Sequence, residues 1–507
     1  MEKLYYAIVD IGSNTMRLVI YVREKGGRLK EVENVKAVAR LRTFLEEGNK
    51  LNKAGIKRLI KTLKSFKEVL STYQLEDVVC VATATIRQAR NNKAIVREVQ
   101  QQTGMTINIL SEEEEAYYGY LAVVNSTSIE TGITIDIGGG STEVTYFENR
   151  ELRHAHSFPF GALTLKDFFK NAIPTKKELS ELRQYLRDQF AILPWLQNKA
   201  VPLIAIGGSA RNMAQIDQNI KKYPLAGLHQ YKMYDSDIAQ ISNYLTSIEA
   251  NKLTKVEGLS KDRADIIIPA IEVFHNLYHI VQADSFILSR KGLRDGVFYE
   301  HLSKEMGSIL FPNVLEDSIQ ELINDYDLNP KHILHVQYLT RQLFDYVKDS
   351  GLLHLTKKDW NLVKKASFLY HLGEYIDAES SAQHTFYLLA NRTIDGLMHK
   401  DRLELALIAS YKNKTVFKQF IKPYKEWFLK EEQKKLRQLG SLLKFSYSLD
   451  ATKRQVIKKI DCNLSKEKLA LTLHCAGDAK PEEYQSEKQK KHLEKAIKQD
   501  VELRFDY

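Results

Sequence analysis

Residues 4–22 (LYYAIVDIGSNTMRLVIYV) form two apolar runs separated by Gly12-Ser13-Asn14. Runs rich in Val, Ile and Tyr, broken by small polar residues, predict a β-hairpin. The period changes over 53–73, where Ile56, Leu59, Ile60, Leu63, Phe66, Val69 and Leu70 recur at helical spacing. A short buried strand is expected at 77–83, a helix at about 91–103, a strand at INIL (107–110) and a helix at 112–125. Residues 133–148 (ITIDIGGGSTEVTYFE) repeat the opening device of apolar strand, Asp, Gly-rich turn and alternating strand. A third version at 202–214 (PLIAIGGSARNMA) lets the glycine turn open a helix. From about 310 glycine becomes scarce and amphipathic helices dominate to about 440. Two strand-like runs (455–464 and 468–475) and a charged helix (483–499) follow.

The chain has 507 residues, more than the ~250–300 at which a single core stops growing. The main boundary is expected near 303–315, around Pro312, and a lesser one near 125–130, between the two hairpins. Apolar content of 44% and charged content of 27% are those of an ordinary globular protein. No run reaches the ~18 apolar residues a membrane span needs, and the opening MEKLYYAIVDIG carries no export signal. Cys80, Cys462 and Cys475 show no metal-ligand spacing, which favours a reducing, cytoplasmic setting. The net charge of +10 is compatible with a polyanionic partner, and the excess concentrates in 401–507, with 24 Lys and Arg against 16 Asp and Glu. A solvated helical surface would read the same way.

The recurring device has chemical content. Asp10-Ile-Gly-Ser13-Asn14-Thr and Asp136-Ile-Gly138-Gly139-Gly140-Ser141-Thr142 each place a carboxylate at a strand end, before a turn whose amides can face an oxyanion. Gly207-Gly208-Ser209 does the same at a helix start. Such carboxylates can hold Mg²⁺ beside phosphate oxygens. Two ordinary hairpins are the plain alternative, since Asp and Gly are common turn residues. Ser111-Glu-Glu-Glu-Glu115 offers a base to activate water, although acidic residues also suit any first helical turn. Arg87 and Arg294 could bind phosphate bidentately or form surface ion pairs.

In this order the motifs resemble the exopolyphosphatase / guanosine pentaphosphate phosphatase family of the actin-like, Hsp70-like ATPase superfamily. The matching stretches are VDIGSNTMRLVIY (9–21), VATATIRQARN (81–91), ILSEEEEAYYGYLAV (109–123), TIDIGGGSTEVTYF (134–147), PFGALTL (159–165), IAIGGSARNMA (204–214) and LSRKGLRDGVFYE (288–300). The resemblance implies an α/β pair of actin-like (ASKHA, ribonuclease H-like) domains at 1–125 and 126–305. A helical, degenerate HD-like domain at 306–440 and a small basic α+β unit at 441–507 would follow. It implies Glu115 as catalytic base, Asp136 and Glu143 as Mg²⁺ ligands that help place the attacking water, and Arg87 and Arg294 facing the phosphates. Asp10, Ser13 and Asn14, Gly138 to Thr142, and Gly207 to Ser209 correspond to three phosphate loops. Glu112 stands where the family has Gly, which keeps Glu114 as a second candidate base. In the helical half, His332, His335, His371 and His384 remain, but Leu372 replaces the Asp of the HD pair, so that domain is expected to be silent.

The activity implied is release of terminal phosphate from linear polyphosphate, with Mg²⁺ and a stimulatory K⁺, by a homodimer. Guanosine pentaphosphate (pppGpp) is the alternative substrate. A kinase-like or chaperone-like ATPase and a non-catalytic polyphosphate or nucleotide sensor are further alternatives. Neither a membrane nor a specific nucleic acid is expected as partner.

Overall fold

The first hairpin pairs β1 (Tyr5–Ile11) antiparallel with β2 (Thr15–Arg23), and β3 (Leu29–Val38) extends it. In the computed structural model, which describes residues 4–23, 29–465 and 468–507, these strands belong to a five-stranded sheet. Its order is β3-β2-β1-β4-β5, where β4 is Leu75–Ala82 and β5 is Ile107–Ile109. Strands β4 and β5 run parallel to β1. Met1–Lys3, at the start of the expected signal-free segment, lie outside the described residues.

The second half repeats this plan. A six-stranded sheet has the order β8-β7-β6-β9-β11-β10, from β6 (Gly132–Ile137), β7 (Thr142–Glu148), β8 (Glu151–Phe158), β9 (Leu203–Ile206), β10 (Tyr231–Met233) and β11 (Phe286–Leu288). Again a hairpin leads, parallel strands follow, and one antiparallel strand closes the edge. Parallel strands need covering on both faces. In the first half α1 (Lys53–Leu70) and α2 (Asn92–Thr103) supply one layer. Asn52 caps α1 by accepting from the Gly55 amide, and Leu59, Leu63, Phe66 and Leu70 form its buried stripe. In the second half α4 (Lys176–Ala191), α5 (Gly207–Ile220), α6 (Asp235–Ser247) and α7 (Ile267–Val281) do so.

Contacts cross the boundary expected near 125. Helix α3 (Glu112–Val124) packs against α8 (Leu293–Met306), the last long helix of the second half, and α8 returns to the first sheet. There Val297, Phe298 and Leu302 are buried with Tyr6, Ile8, Val19 and Tyr21. Burying Phe298 alone contributes about 2–3 kcal/mol. Gly296 is required, because a Cβ there would come within 2.8 Å of the Tyr118 Cα.

The chain divides into two compact units, Met1–Tyr223 with Leu228–Val314, and Pro224–Gly227 with Leu315–Tyr507. The second is helical, with α9 (Pro330–Asp349), α10 (Lys357–Phe368), α11 (His399–Ala409), α12 (Lys414–Ile421), α13 (Lys430–Ser448) and α14 (Lys480–Ile497). It also holds a three-stranded sheet of β12 (Ile457–Leu464), β13 (Lys468–Cys475) and β14 (Asp500–Asp506). A division at 440/441 falls inside α13. Gly440 in this helix allows close packing, since a Cβ would meet the Tyr411 Cβ at 2.6 Å. None of the described helices is long and apolar enough to cross a membrane.

Candidate active site

In both halves the carboxyl ends of the central strands converge on one cleft of about 140 Å³, the place where ligands bind in open α/β sheets. The two hairpins reach it with the same turn. The Gly12 amide donates to the Thr15 carbonyl (3.1 Å), and the Gly138 amide to the Ser141 carbonyl (2.9 Å). Asp10 pairs across its hairpin with Arg17, and Asp136 with Glu143. The third turn places Gly207 at φ +88°, with its Cα against the Asp136 carboxylate.

Asp10, Ser13, Asn14, Glu115, Asp136, Gly138, Gly139, Ser141, Gly207, Gly208 and Arg294 all line the cleft. The remaining sequence-derived candidates stand behind it. Glu143 is buried, accepts from Ser157 (2.9 Å) and faces Glu115 and Asp136 electrostatically. Arg87 does not face the cleft. Its Nη1 donates to Glu115 Oε2 (2.8 Å) and to the Leu110 carbonyl (3.0 Å), so it holds Glu115 in place. Thr142 donates to the Phe160 carbonyl (2.8 Å). Ser209 accepts from Arg263 (3.2 Å), and Gly140 sits against Ser13 and Arg42.

The four glutamates separate by role. Ser111 caps α3 in a reciprocal box, in which its hydroxyl accepts from the Glu114 amide (3.1 Å) and Glu114 Oε2 accepts from the Ser111 amide (2.7 Å). Glu114 is thereby committed to the helix start. Glu112 is half-exposed at the first helical position, 3.7 Å from Arg87, and α3 begins regularly after it. Only Glu115 reaches the cleft.

Burial pushes the Glu115 carboxyl up to about 7, against the pull of Arg87. It pushes Asp136 up to about 6 and raises Asp10 and Glu143 as well. Facing these carboxylates are Arg17, Arg211, Arg263, Arg290 and Arg294. Among the described residues none of these five makes an ion pair; Arg17 donates to Asn34, Arg211 to the Gly207 carbonyl and Arg263 to Ser209. Arg211 is lowered to about 10 by burial and by Arg294, Arg17 and Arg263. Mutual repulsion of buried cations is relieved by an anion. Both polar atoms of the Asn14 side chain are likewise buried without a partner among the described residues, and Ser13 accepts from Thr85 (2.7 Å), which leaves its own proton to donate. The oxygen-rich donors Asp10 and Asp136 suit Mg²⁺.

Arg17, Arg211, Arg263 and Arg290 were not singled out from sequence. Arg17 was within reach, since the hairpin register sets it opposite Asp10. Arg211 follows Gly207 by one helical turn. Arg263 comes from an irregular segment and stacks where a Gly208 side chain would stand, so only the tertiary fold reveals it.

In the helical unit, His332 Nδ1 pairs with Asp450 (2.8 Å) and His371 Nδ1 with Glu374 (2.8 Å), while Leu372 is buried. Among the described residues of this unit no three metal-ligating side chains converge.

Comparison with known proteins places the fold. A guanosine-5'-triphosphate,3'-diphosphate pyrophosphatase of Vibrio vulnificus is 25% identical over 417 residues, 80% of each chain. The crystal structure of the Aquifex aeolicus Ppx/GppA family member superposes with a TM-score of 0.54 at 27% identity, over 61% of this chain and all of that one. An exopolyphosphatase from Cytophaga hutchinsonii shares the fold, with a TM-score of 0.55 at 19% identity over 61% of this chain and all of that one. The model of the Ppx/GppA phosphatase family matches residues 19–305 and that of its domain III matches 314–494. With more than half of its length matched, this chain belongs to the Ppx/GppA phosphatase family.

Proposed function

We propose that this protein hydrolyses the terminal phosphoric anhydride of linear polyphosphate and releases inorganic phosphate. The observation that carries the reading is the cleft itself, in which five guanidiniums without carboxylate partners among the described residues face turn amides and a carboxylate poised near neutrality. Arg17, Arg211, Arg263 and Arg294 bind the non-bridging oxygens, and Asn14, Ser13 and the Gly12 and Gly138 turns fix the terminal group. Glu115 Oε2 is occupied by Arg87, so Oε1 accepts the proton of the attacking water. Asp10 and Asp136, backed by Glu143, would hold Mg²⁺, which would neutralise charge on the phosphate oxygens.

A property of the second unit favours a long polyanion. Lys414, Lys434, Arg437, Lys495 and Lys498 line a cavity of about 620 Å³ with Tyr411 and His492. None of these cations makes an ion pair among the described residues. Lys444 nearby is lowered to about 8 by burial and by Lys491, Lys412 and Lys488. Phosphates bound here release counterions. The double variant Lys434→Gln/Lys495→Gln is therefore expected to raise KM for long polyphosphate and to reduce the slope of log KM against log salt by about 0.7 per lost contact. Tripolyphosphate should be unaffected. Equal effects on both lengths would remove the cavity from substrate binding.

The second reading is pppGpp hydrolysis, favoured by the name of the Vibrio relative. Phosphate release from long polyphosphate and from pppGpp, measured in parallel with Mg²⁺, decides between them. We expect kcat/KM to favour polyphosphate by about tenfold or more; the reverse preference transfers the assignment to the nucleotide. The proposal extends to K⁺ stimulation, and to a cytoplasmic homodimer whose three cysteines stay reduced, consistent with their being unpaired.

A further inference from the structure

Outside the cleft, α6 and α7 bring three metal-ligand side chains to one point. Asp235 is the first residue of α6, and His275 and His279 stand one turn apart on one face of α7. His275 Nε2 lies 3.0 Å from Asp235 Oδ1 and 3.0 Å from His279 Nε2, and His279 Nε2 lies 3.2 Å from Asp235 Oδ1.

Hydrogen bonding does not account for this closed triangle. A neutral Nε2 offers either one proton or one lone pair. If both nitrogens donate to Asp235, two N–H groups confront each other at 3.0 Å. If only one carries a proton, the other presents its lone pair to the carboxylate, at 3.0 Å for His275 or 3.2 Å for His279. Each neutral arrangement leaves one repulsive edge, and a central cation removes it by turning all three atoms into ligands. A tetrahedral Zn²⁺ with bonds of about 2.0–2.2 Å sets its ligand atoms roughly 3.3–3.6 Å apart, a few tenths of an ångström from the edges observed. Two imidazoles and one carboxylate select Zn²⁺ and its transition-metal neighbours over Mg²⁺.

We propose that Asp235, His275 and His279 bind one Zn²⁺-class ion that pins the start of α6 to the end of α7. The surroundings are consistent with this. The Tyr278 ring stands edge-on to the His279 imidazole, with centroids 6.2 Å apart. The opposite end of α7 follows Arg263 and Ile266, two residues of the cleft wall, so the ion braces a helix that begins at the active site.

The test uses the full-length protein, stripped with chelator and then exposed to Zn²⁺ or Co²⁺. Wild type is expected to retain one ion per chain after desalting and to gain about 2–4 °C in melting temperature. The Co²⁺ form should show visible bands of a four-coordinate nitrogen–oxygen site. His279→Ala, at an exposed side chain, and Asp235→Asn should each weaken binding by about tenfold or more and leave Mg²⁺-dependent phosphate release unchanged. Equal Zn²⁺ affinity in wild type and both variants would place the ion on the cysteines or the cleft carboxylates and overturn the proposal, as would failure of wild type to retain any. Because the readouts are metal content and spectrum, they stand whether or not the substrate assignment does.

Discussion

Glu115→Gln is expected to slow phosphate release by about three orders of magnitude, within the ~10²–10⁴-fold that a positioned base contributes, while the protein stays folded. Glutamine keeps the shape of the side chain and can still accept from Arg87, but it cannot take a proton from water. Stability should move the other way. Burial raises the Glu115 carboxyl to about 7 in the folded chain, above its unfolded value near 4.5. Between those two values the native state holds a proton that the unfolded state has released, so stability falls as pH rises through the window. Above it the buried carboxylate is charged and penalised, and the amide is not. In metal-free buffer at pH 8 the variant should therefore melt no lower than wild type, and its advantage should vanish near pH 4.5. Full activity would remove Glu115 from the mechanism. A collapse in melting temperature would make the activity loss a folding effect.

The halves of the molecule differed in how much of them could be read in advance. The Asp–Gly hairpins were legible because a strand, a carboxylate and a glycine turn are local, and β1–β2 and β6–β7 keep the same register around the same turn hydrogen bond. The choice among the four glutamates was not legible from their spacing alone. It rests on the phase of α3, where the Ser111 cap takes Glu114 and leaves Glu115 pointing inward. The return of α8 to the first sheet was also hidden, since no local signal tells a helix near residue 300 to pack on Tyr6 and Ile8. Gly440 lies inside α13, beside the boundary expected at 440/441. In a helix interior glycine weakens the helix by about 1 kcal/mol relative to alanine, which reads as a break, unless another chain segment packs where its side chain would be. Tyr411 does so. The arginines of the cleft divide the same way. Arg294 lies in a contiguous motif, whereas Arg263 approaches Gly208 from a segment without periodicity.

Arg87 supplies the second large effect, and its position changes what the effect should look like. Resemblance assigns it to the phosphate chain, whereas the geometry places it behind Glu115, with its side chain 16% exposed and one nitrogen shared between Glu115 and the Leu110 carbonyl. Its hydrogen bond and its charge are the two influences that hold the Glu115 carboxyl down, while burial and the neighbouring Asp136 and Asp10 push it up. Removing Arg87 leaves the upward influences unopposed. In Arg87→Ala the acidic limb of the kcat/KM profile should move to higher pH, and each unit of that shift lowers the deprotonated fraction about tenfold on the acidic side. The expected loss is about a hundredfold at pH 7 and closer to tenfold at pH 9, with Arg87→Lys intermediate because it keeps the charge but not the guanidinium's geometry. A group that only bound phosphate would instead lower the profile by the same factor at every pH and raise KM. A purely structural role would lower the melting temperature without moving the limb. The pH–rate profile of the alanine variant therefore separates a residue that tunes the base from one that holds the substrate.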